Sequence, residues 1–185
     1  MKIILASASP RRQELIKMIT EDIVVNSCDC DETIKPGLVG REIAEYLSKI
    51  KGEAVKEQFK DEIIVSADTI VCLNDKVLGK PKSEEDAFNM LRALSGNTHS
   101  VFTGVTIIKG EKVKTFSQET KVTFYDLSDD EINEYIASKE CADKAGSYGI
   151  QGKGGLLVKG IDGDYFNVVG LPVARLKREL KEFYI

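Results

Sequence analysis

The chain holds one histidine, His99, and four cysteines, Cys28, Cys30, Cys72 and Cys141, in 185 residues. A structural zinc site needs about four such ligands at recognisable spacing. Cys28-x-Cys30 has no second Cys/His cluster to complete one. The same scarcity suggests no disulfide framework, which fits a reducing cytosol, and Cys72, inside an apolar run, reads as a small core residue. No stretch approaches the roughly 18 apolar residues that span a bilayer. At the N-terminus, the apolar run 3–6 is short and is followed rather than preceded by Arg11 and Arg12, the wrong order for a signal peptide. A soluble, cytoplasmic protein without a membrane partner is expected. Positive charge is not in excess either. The net charge is −4, which disfavours general DNA or RNA binding while leaving room for a small anion in a local basic pocket.

What is present is an ordinary globular composition, 42% hydrophobic and 30% charged, and a length that fits one domain, 1–185. No internal repeat or linker divides it. The pattern centres on residues 63–80. Two β-rich runs, Ile63-Ile64-Val65 and Ile70-Val71-Cys72-Leu73, flank Ser66-Ala67-Asp68-Thr69, and a turn at Asn74-Asp75 leads to a return run ending at Lys80-Pro81. This predicts a buried strand and a hairpin. A carboxylate inside such a strand is costly to bury without a charged or hydrogen-bonding partner. Asp68 is therefore a loop-capping residue at a bulge, an edge residue facing solvent, or a catalytic base or metal ligand at the rim of a sheet.

Upstream, a strand over 2–6 runs into Ser7-Ala8-Ser9, a loop of small residues. Ser9 suits an N-cap and Pro10 the first helical position, so a helix is expected to about Ile19. Arg11 and Arg12 fall in its first turn, where the helix dipole disfavours cations. They are either solvated arginines paired elsewhere or part of an anion site in which N–H groups, serine hydroxyls and guanidinium forks converge on phosphate oxygens. A second strand, 23–26, leads to the acidic loop Cys28-Asp29-Cys30-Asp31-Glu32, which is either a solvated turn or the source of one carboxylate, Glu32 or Asp31, for a divalent cation. Gly37–Gly40 opens a helix to about Phe59 with Ile43, Leu47, Ile50 and Ala54 as its buried stripe. Lys51, beside that stripe, either snorkels or points into a cleft.

Downstream, Ser83 and Ser128 start helices in capping-box patterns, the first burying Ala87, Met90, Leu91 and Leu94. Residues 98–108 and 113–125 alternate as a long hairpin. His99 falls on the first of these strands and suits a structural hydrogen bond. The glycine-dense run 144–155 lacks phosphate-loop or dinucleotide-fold spacing. Residues 156–161 and 165–169 are expected to form a further hairpin around Asp162-Gly163. Val173, Leu176, Leu180 and Phe183 mark the buried face of a last helix. The whole reads as an α/β unit with a mixed sheet.

Ser7-Ala8-Ser9-Pro10-Arg11-Arg12, Ser66-Ala67-Asp68-Thr69, Gly79-Lys80-Pro81, Leu94-Ser95-Gly96 and Ala145-Gly146-Ser147-Tyr148-Gly149-Ile150-Gln151-Gly152, taken in that order, resemble the Maf family of nucleoside triphosphate pyrophosphatases. No single motif is specific; the ordered set, which covers nearly the whole chain, is. The resemblance implies an elongated α/β fold, related to the house-cleaning inosine triphosphate pyrophosphatases, with two lobes around a cleft. It implies hydrolysis of a nucleoside triphosphate to monophosphate and pyrophosphate with Mg²⁺ or Mn²⁺. It places the catalytic aspartate at Asp68 and further cleft residues at Ser7, Arg12, Glu32, Lys51 and Lys80, the metal being held by Glu32 and Asp68. Members acting on dTTP and UTP carry the residues found here at Arg11, Thr69 and Gln151. The branch acting on 7-methyl-GTP instead carries an aromatic residue, glutamine and glutamate. The expected phosphate contacts are Ser7, Ser9, Arg11, Arg12, Lys51 and Lys80. Gln151 offers a donor and an acceptor, which match the N3–H and carbonyl edge of uracil or thymine. The resemblance also leaves open a nucleotide-binding regulator of septation without essential turnover. The sequence permits a homodimer without requiring one.

Overall fold

The computed structural model describes residues 2–27 and 29–184, so Cys28 of the Cys28-x-Cys30 pair lies outside the described residues. Its first half alternates strand and helix: β1 (Ile3–Leu5), α1 (Pro10–Ile16), β2 (Ile23–Val25), α2 (Arg41–Lys56) and β3 (Ile63–Leu73). Its second half is mostly antiparallel: β4 (Lys76–Leu78), α3 (Glu84–Leu94), β5 (Thr98–Lys109), β6 (Lys112–Phe124), α4 (Asp129–Ala137), β7 (Val158–Asp162), α5 (Tyr165–Val169) and α6 (Val173–Glu179). Together the strands form a seven-stranded mixed sheet in the order β2-β1-β3-β5-β6-β7, with β4 paired to β3. β1 is parallel to both β2 and β3, while β3, β5, β6 and β7 are antiparallel in sequence.

The order β2-β1-β3 reverses the direction of chain progression at β1. α1 and α2 consequently cover opposite faces of the sheet, as right-handed crossovers require. On one face Leu15 and Ile16 pack with Ile3, Leu5, Val65, Val105 and the α6 residues Val173 and Leu176. On the other, Val55 packs with Ile4, Ile64 and Ile108, and Ile43, Ala44 and Leu47 pack with Ile70 and Cys72. A separate core joins the far ends of β3, β5 and β6 to α3 and α4 through Val71, Leu91, Leu94, Val101, Phe124, Ile132 and Tyr148. These cores make two lobes that share three long strands, as the expected elongated form requires.

α2 lies unusually close to the sheet. A methyl group at Gly104 of β5 would overlap the backbone of Ala44, and one at Gly52 of α2 would meet Ser66 Oγ at 2.7 Å. This closeness explains why its buried face comprises Ile43, Ala44, Leu47, Ser48, Gly52 and Val55, whereas the expected Ile50 and Ala54 are only half-buried. The small residues mark the contact face because only they allow that approach.

The Asn74-Asp75 turn, the long β5–β6 hairpin and the α4 capping box at Ser128 form as the pattern indicates. α1 ends a turn earlier than expected, and Met90 is half-buried, accepting the Ser147 hydroxyl hydrogen at 3.1 Å. The expected hairpin around Asp162-Gly163 is not formed. Its second arm is helix α5, started by Asp164, whose carboxylate accepts the Phe166 N–H at 2.8 Å. Asn167 on that helix is fully buried and its amide donates to the Val101 carbonyl and to Thr120 Oγ1, both at 3.0 Å. The β-branched composition of the segment favours strand, and this tertiary docking overrides it.

Candidate functional site

β3 is eleven residues long, and β5 pairs with it along one edge. The other edge is shared. β1 pairs with residues 63–65, the Ala6 N–H extends that ladder to the Val65 carbonyl at 2.8 Å, and β4 pairs only with residues 71–73. Among the described residues no strand covers the interval between them, and Asp68 and Thr69 sit at its centre. Here β1 ends and turns through Ser7-Ala8-Ser9 into α1, beside the point where the sheet order reverses. Open α/β sheets bind ligands at such a switch point, beyond the carboxyl ends of parallel strands.

Side chains alternate across β3, so Asp68 points to the α2 face and Thr69 to the opposite one. Asp68 is 9% exposed, and its carboxylate accepts from Lys51 Nζ of α2 at 2.5 Å. The same ammonium meets Glu32 Oε2 at 3.0 Å. Lys51 therefore points inward rather than snorkelling, and the acidic loop returns Glu32 to the rim of β3. Of the earlier alternatives for Asp68, the bulge is excluded because β3 and β5 stay in register through Asp68↔Gly104.

On the Thr69 face, Arg12 reaches across the gap. Its Nε donates to the Gly170 carbonyl at 2.9 Å, Nη1 to Ser7 Oγ at 3.3 Å and Nη2 to Thr69 Oγ1 at 3.0 Å. Burial lowers the guanidinium's pKa, and the nearby Asp68 carboxylate opposes that shift. One further N–H on each terminal nitrogen remains for a ligand. Ser7 is buried, and its Oγ also accepts the Ser9 N–H at 3.3 Å. Ser9 occupies the N-cap position, but its side chain makes no capping bond. Arg11 stands at the mouth, 3.8 Å from Asp143.

Asp68, Lys51 and Glu32 thus form one cluster, and Arg12, Ser7, Ser9 and Thr69 another. Lys80 and Gln151 are exposed, and their side chains make no hydrogen bond or ion pair within the described residues. The chain around them is nevertheless fixed to the cleft. The Gly146 N–H donates to the Gly79 carbonyl at 3.0 Å, next to Lys80. Tyr148 belongs to the core of the α3–α4 lobe, whereas Ile150 packs on the core beneath α1, so residues 148–150 cross between lobes and carry Gln151 to their junction. Sequence reasoning missed Thr103, Asn167 and Gly170, which hold Thr69 and Arg12 in place. Only their register on β5 and α5 reveals them, and no local motif does.

A cavity of about 520 Å³ lies farther along the same face as Asp68, between the start of α2 and the β3–β4 turn, lined by Arg41, Ser100, Phe102 and Glu119 among others. None of the expected site residues lines it. Two carboxylates converging on one ammonium are hard oxygen donors and fit Mg²⁺ or Mn²⁺. Mg²⁺ is commonly bound through one or two carboxylates, with substrate phosphates and water completing its shell. No cluster of three or more His, Cys, Asp or Glu side chains that could hold a metal occurs among the described residues.

A family model described as Maf-like protein matches residues 2–183. The chain belongs to the Maf family. Curated relatives span it end to end. One from Bacillus cereus strain B4264, named dTTP/UTP pyrophosphatase, is 51% identical over 184 residues, covering 100% of this chain and 96% of that protein. One from Bacillus mycoides with the same name is 50% identical over 182 residues, covering 98% and 95%. Among solved structures, the Ham1 protein of Staphylococcus aureus aligns with 68% of this chain and 73% of its own at TM-score 0.51 and 18% identity. A HAM1 protein from Coxiella burnetii aligns over 98% and 99% at TM-score 0.50 and 14% identity. These likenesses concern the fold alone. They agree with a mixed α/β fold for the Maf chain, and among the described residues no helix of it is long and apolar enough to cross a membrane.

Proposed function

We propose that the protein hydrolyses nucleoside triphosphates, dTTP and UTP in preference, to the monophosphate and pyrophosphate. The observation that carries this reading is the position of Asp68 in the uncovered interval of β3, paired with Lys51 and Glu32 on one face, with Arg12 held on the other. Both relatives compared above are named for that activity. A hydrolase of a phosphoanhydride needs cations to neutralise phosphate oxygens and a base to take a proton from water. The cleft offers both within one gap.

Asp68 accepts the proton of the water that attacks the α phosphorus. Lys51, on Asp68 and Glu32, orients the carboxylate and offers its charge to a phosphate oxygen. The spare N–H groups of Arg12, the hydroxyls of Ser7 and Ser9, and Arg11 and Lys80 at the mouth bind the remaining oxygens. Glu32 and Asp68 would hold a divalent cation, which would supply positive charge against the phosphate oxygens and lower the pKa of water. Gln151 at the lobe junction reads the pyrimidine edge with its amide, and Arg11 and Thr69 complete the specificity set. The working unit is one domain, 1–185, acting on free nucleotides in the cytoplasm, with nucleotides modified at the base among the candidates for clearance.

The test is pyrophosphate release from dTTP, UTP, CTP, GTP, ATP and 7-methyl-GTP with Mg²⁺ or Mn²⁺, with the nucleotide product identified. Monophosphate from dTTP and UTP above the others is expected. A different preference would remove the specificity assignment, and no turnover of any triphosphate would overturn the enzymatic reading.

A further inference from the structure

We infer that Thr103 is a positioning residue of this site: it fixes the direction of the Thr69 hydroxyl, so that position 69 acts on substrate through Arg12 and not by donating a hydrogen bond of its own. The inference rests on the function proposed above and adds a residue and a route of action to it.

The argument is one of hydrogens. Thr103 lies opposite Thr69 in the β3–β5 register and is fully buried. A hydroxyl has one hydrogen to donate. That of Thr103 goes to the Asn167 carbonyl at 2.9 Å, which can only accept. The 2.9 Å contact between Thr103 Oγ1 and Thr69 Oγ1 must then be made by the hydrogen of Thr69. With its hydrogen directed into the protein, Thr69 presents only lone pairs to the cleft, and Arg12 Nη2 donates to one of them at 3.0 Å. The chain Arg12 → Thr69 → Thr103 → Asn167 carbonyl therefore runs in a single direction. It ends at the carboxyl end of α5, whose Gly170 cap also accepts from Arg12 Nε at 2.9 Å. Two carbonyls of one helix end thereby fix the guanidinium, one directly and one through two threonines. Carbonyls at a helix C-terminus lack intrahelical partners and carry partial negative charge, so they suit this use. Valine at 103 would keep the shape and remove the acceptor. The Thr69 hydroxyl could then rotate and donate toward the cleft or toward Arg12, where no acceptor waits.

The test compares Thr103→Val and Thr103→Ser with the unaltered chain. Steady-state kinetics with dTTP, UTP and GTP are measured alongside thermal melting and calorimetric titration with inorganic pyrophosphate. In Thr103→Val, KM for dTTP and UTP is expected to rise about tenfold, a loss of the size seen when a hydrogen bond to a charged group is disturbed. The kcat is expected to change by less than about threefold, and KM for GTP to rise alongside, because the phosphate oxygens that Arg12 meets are common to all three substrates. Thr103→Ser should restore KM. A Thr103→Val protein with unaltered KM, whatever its melting temperature, would overturn the inference, as would a serine variant no better than valine. If Thr103→Val does not fold, Thr103→Ala takes its place with the same expectations. If the unaltered chain binds pyrophosphate but turns over no triphosphate, the proposed function fails by itself. The inference is then decided by whether Thr103→Val weakens pyrophosphate binding tenfold while serine does not.

Discussion

Asp68 and His99 are both acid–base side chains buried on neighbouring strands, and their partners give them different roles. Asp68 is paired to a cation at an uncovered strand edge. Replacing it with asparagine removes the proton acceptor while keeping the shape and a hydrogen-bonding oxygen for Lys51. Turnover of dTTP should fall by at least about a hundredfold, the scale of a lost general base, with the melting temperature little changed. Pyrophosphate release and circular dichroism check the two halves, and turnover intact in Asp68→Asn would remove Asp68 from its role. His99 is 3% exposed; its Nε2 lies 2.7 Å from the Tyr148 hydroxyl, its ring packs edge-on to Phe124, and Nδ1 has no partner. Burial depresses its pKa from 6.5 to about 4. A group depressed in this way is neutral in the folded chain and protonated in the unfolded chain between those values. Its contribution is therefore intact above pH 6.5 and is lost as pH falls toward 4. The loss is on the order of 3 kcal/mol. Urea titrations at pH 7 and pH 4.5 should show a decline that is reduced in His99→Gln, a variant less stable at pH 7 but less sensitive to acid.

At the scale of elements, α2 decides whether the site assembles, because Lys51 reaches Asp68 only while the helix lies against β5. Gly104→Ala puts a methyl into the Ala44 backbone, so the helix must move outward. Overpacking of this kind costs about 1–3 kcal/mol, and the same movement withdraws Lys51. Melting temperature and kcat should fall together, whereas an exposed control such as Gly79→Ala, which meets nothing within 4 Å, should lose neither through packing. The identity of α2 was legible in the sequence but its rotation was not. Periodicity weighs Ile50 and Ala54 as hydrophobic, whereas the sheet selects Gly52, Ser48 and Ala44 for closeness. The β3–β4 and β5–β6 hairpins were legible because alternation and turn residues are local signals. α5 was misread because Val168-Val169 and Asp162-Gly163 locally suit a hairpin, and the buried bonds of Asn167 that favour the helix join residues far apart in sequence. The candidate site follows the same division. Asp68 and the small-residue loop before Pro10 stand out locally, whereas the meeting of Lys51, Glu32 and Asp68 depends on a loop and a helix returning to one strand. Thr103 is one alternating residue among many until its register is known.

For the molecule as a whole, the two lobes are joined by uninterrupted strands: β3 carries Val65 in one core, Asp68 between them and Val71 in the other. Such a frame needs no metal for its integrity. The cores are apolar, and the two carboxylates proposed as ligands already share the Lys51 ammonium, so removing a cation leaves no bare pair of negative charges. Chelation should therefore separate function from fold. With excess EDTA, dTTP and UTP turnover should cease, while the melting temperature of the nucleotide-free protein stays within about 2 °C of its value in Mg²⁺, since a ligand stabilises only in proportion to its occupancy of the native state. Adding dTTP with Mg²⁺ to Asp68→Asn, which retains Lys51, Arg12 and Glu32, should raise its melting temperature, and dTTP with EDTA should raise it less. Differential scanning fluorimetry on the same samples reads all of these. Collapse of the melting transition on chelation would mean that the cation is structural and that the Lys51 bridge does not hold the carboxylates by itself.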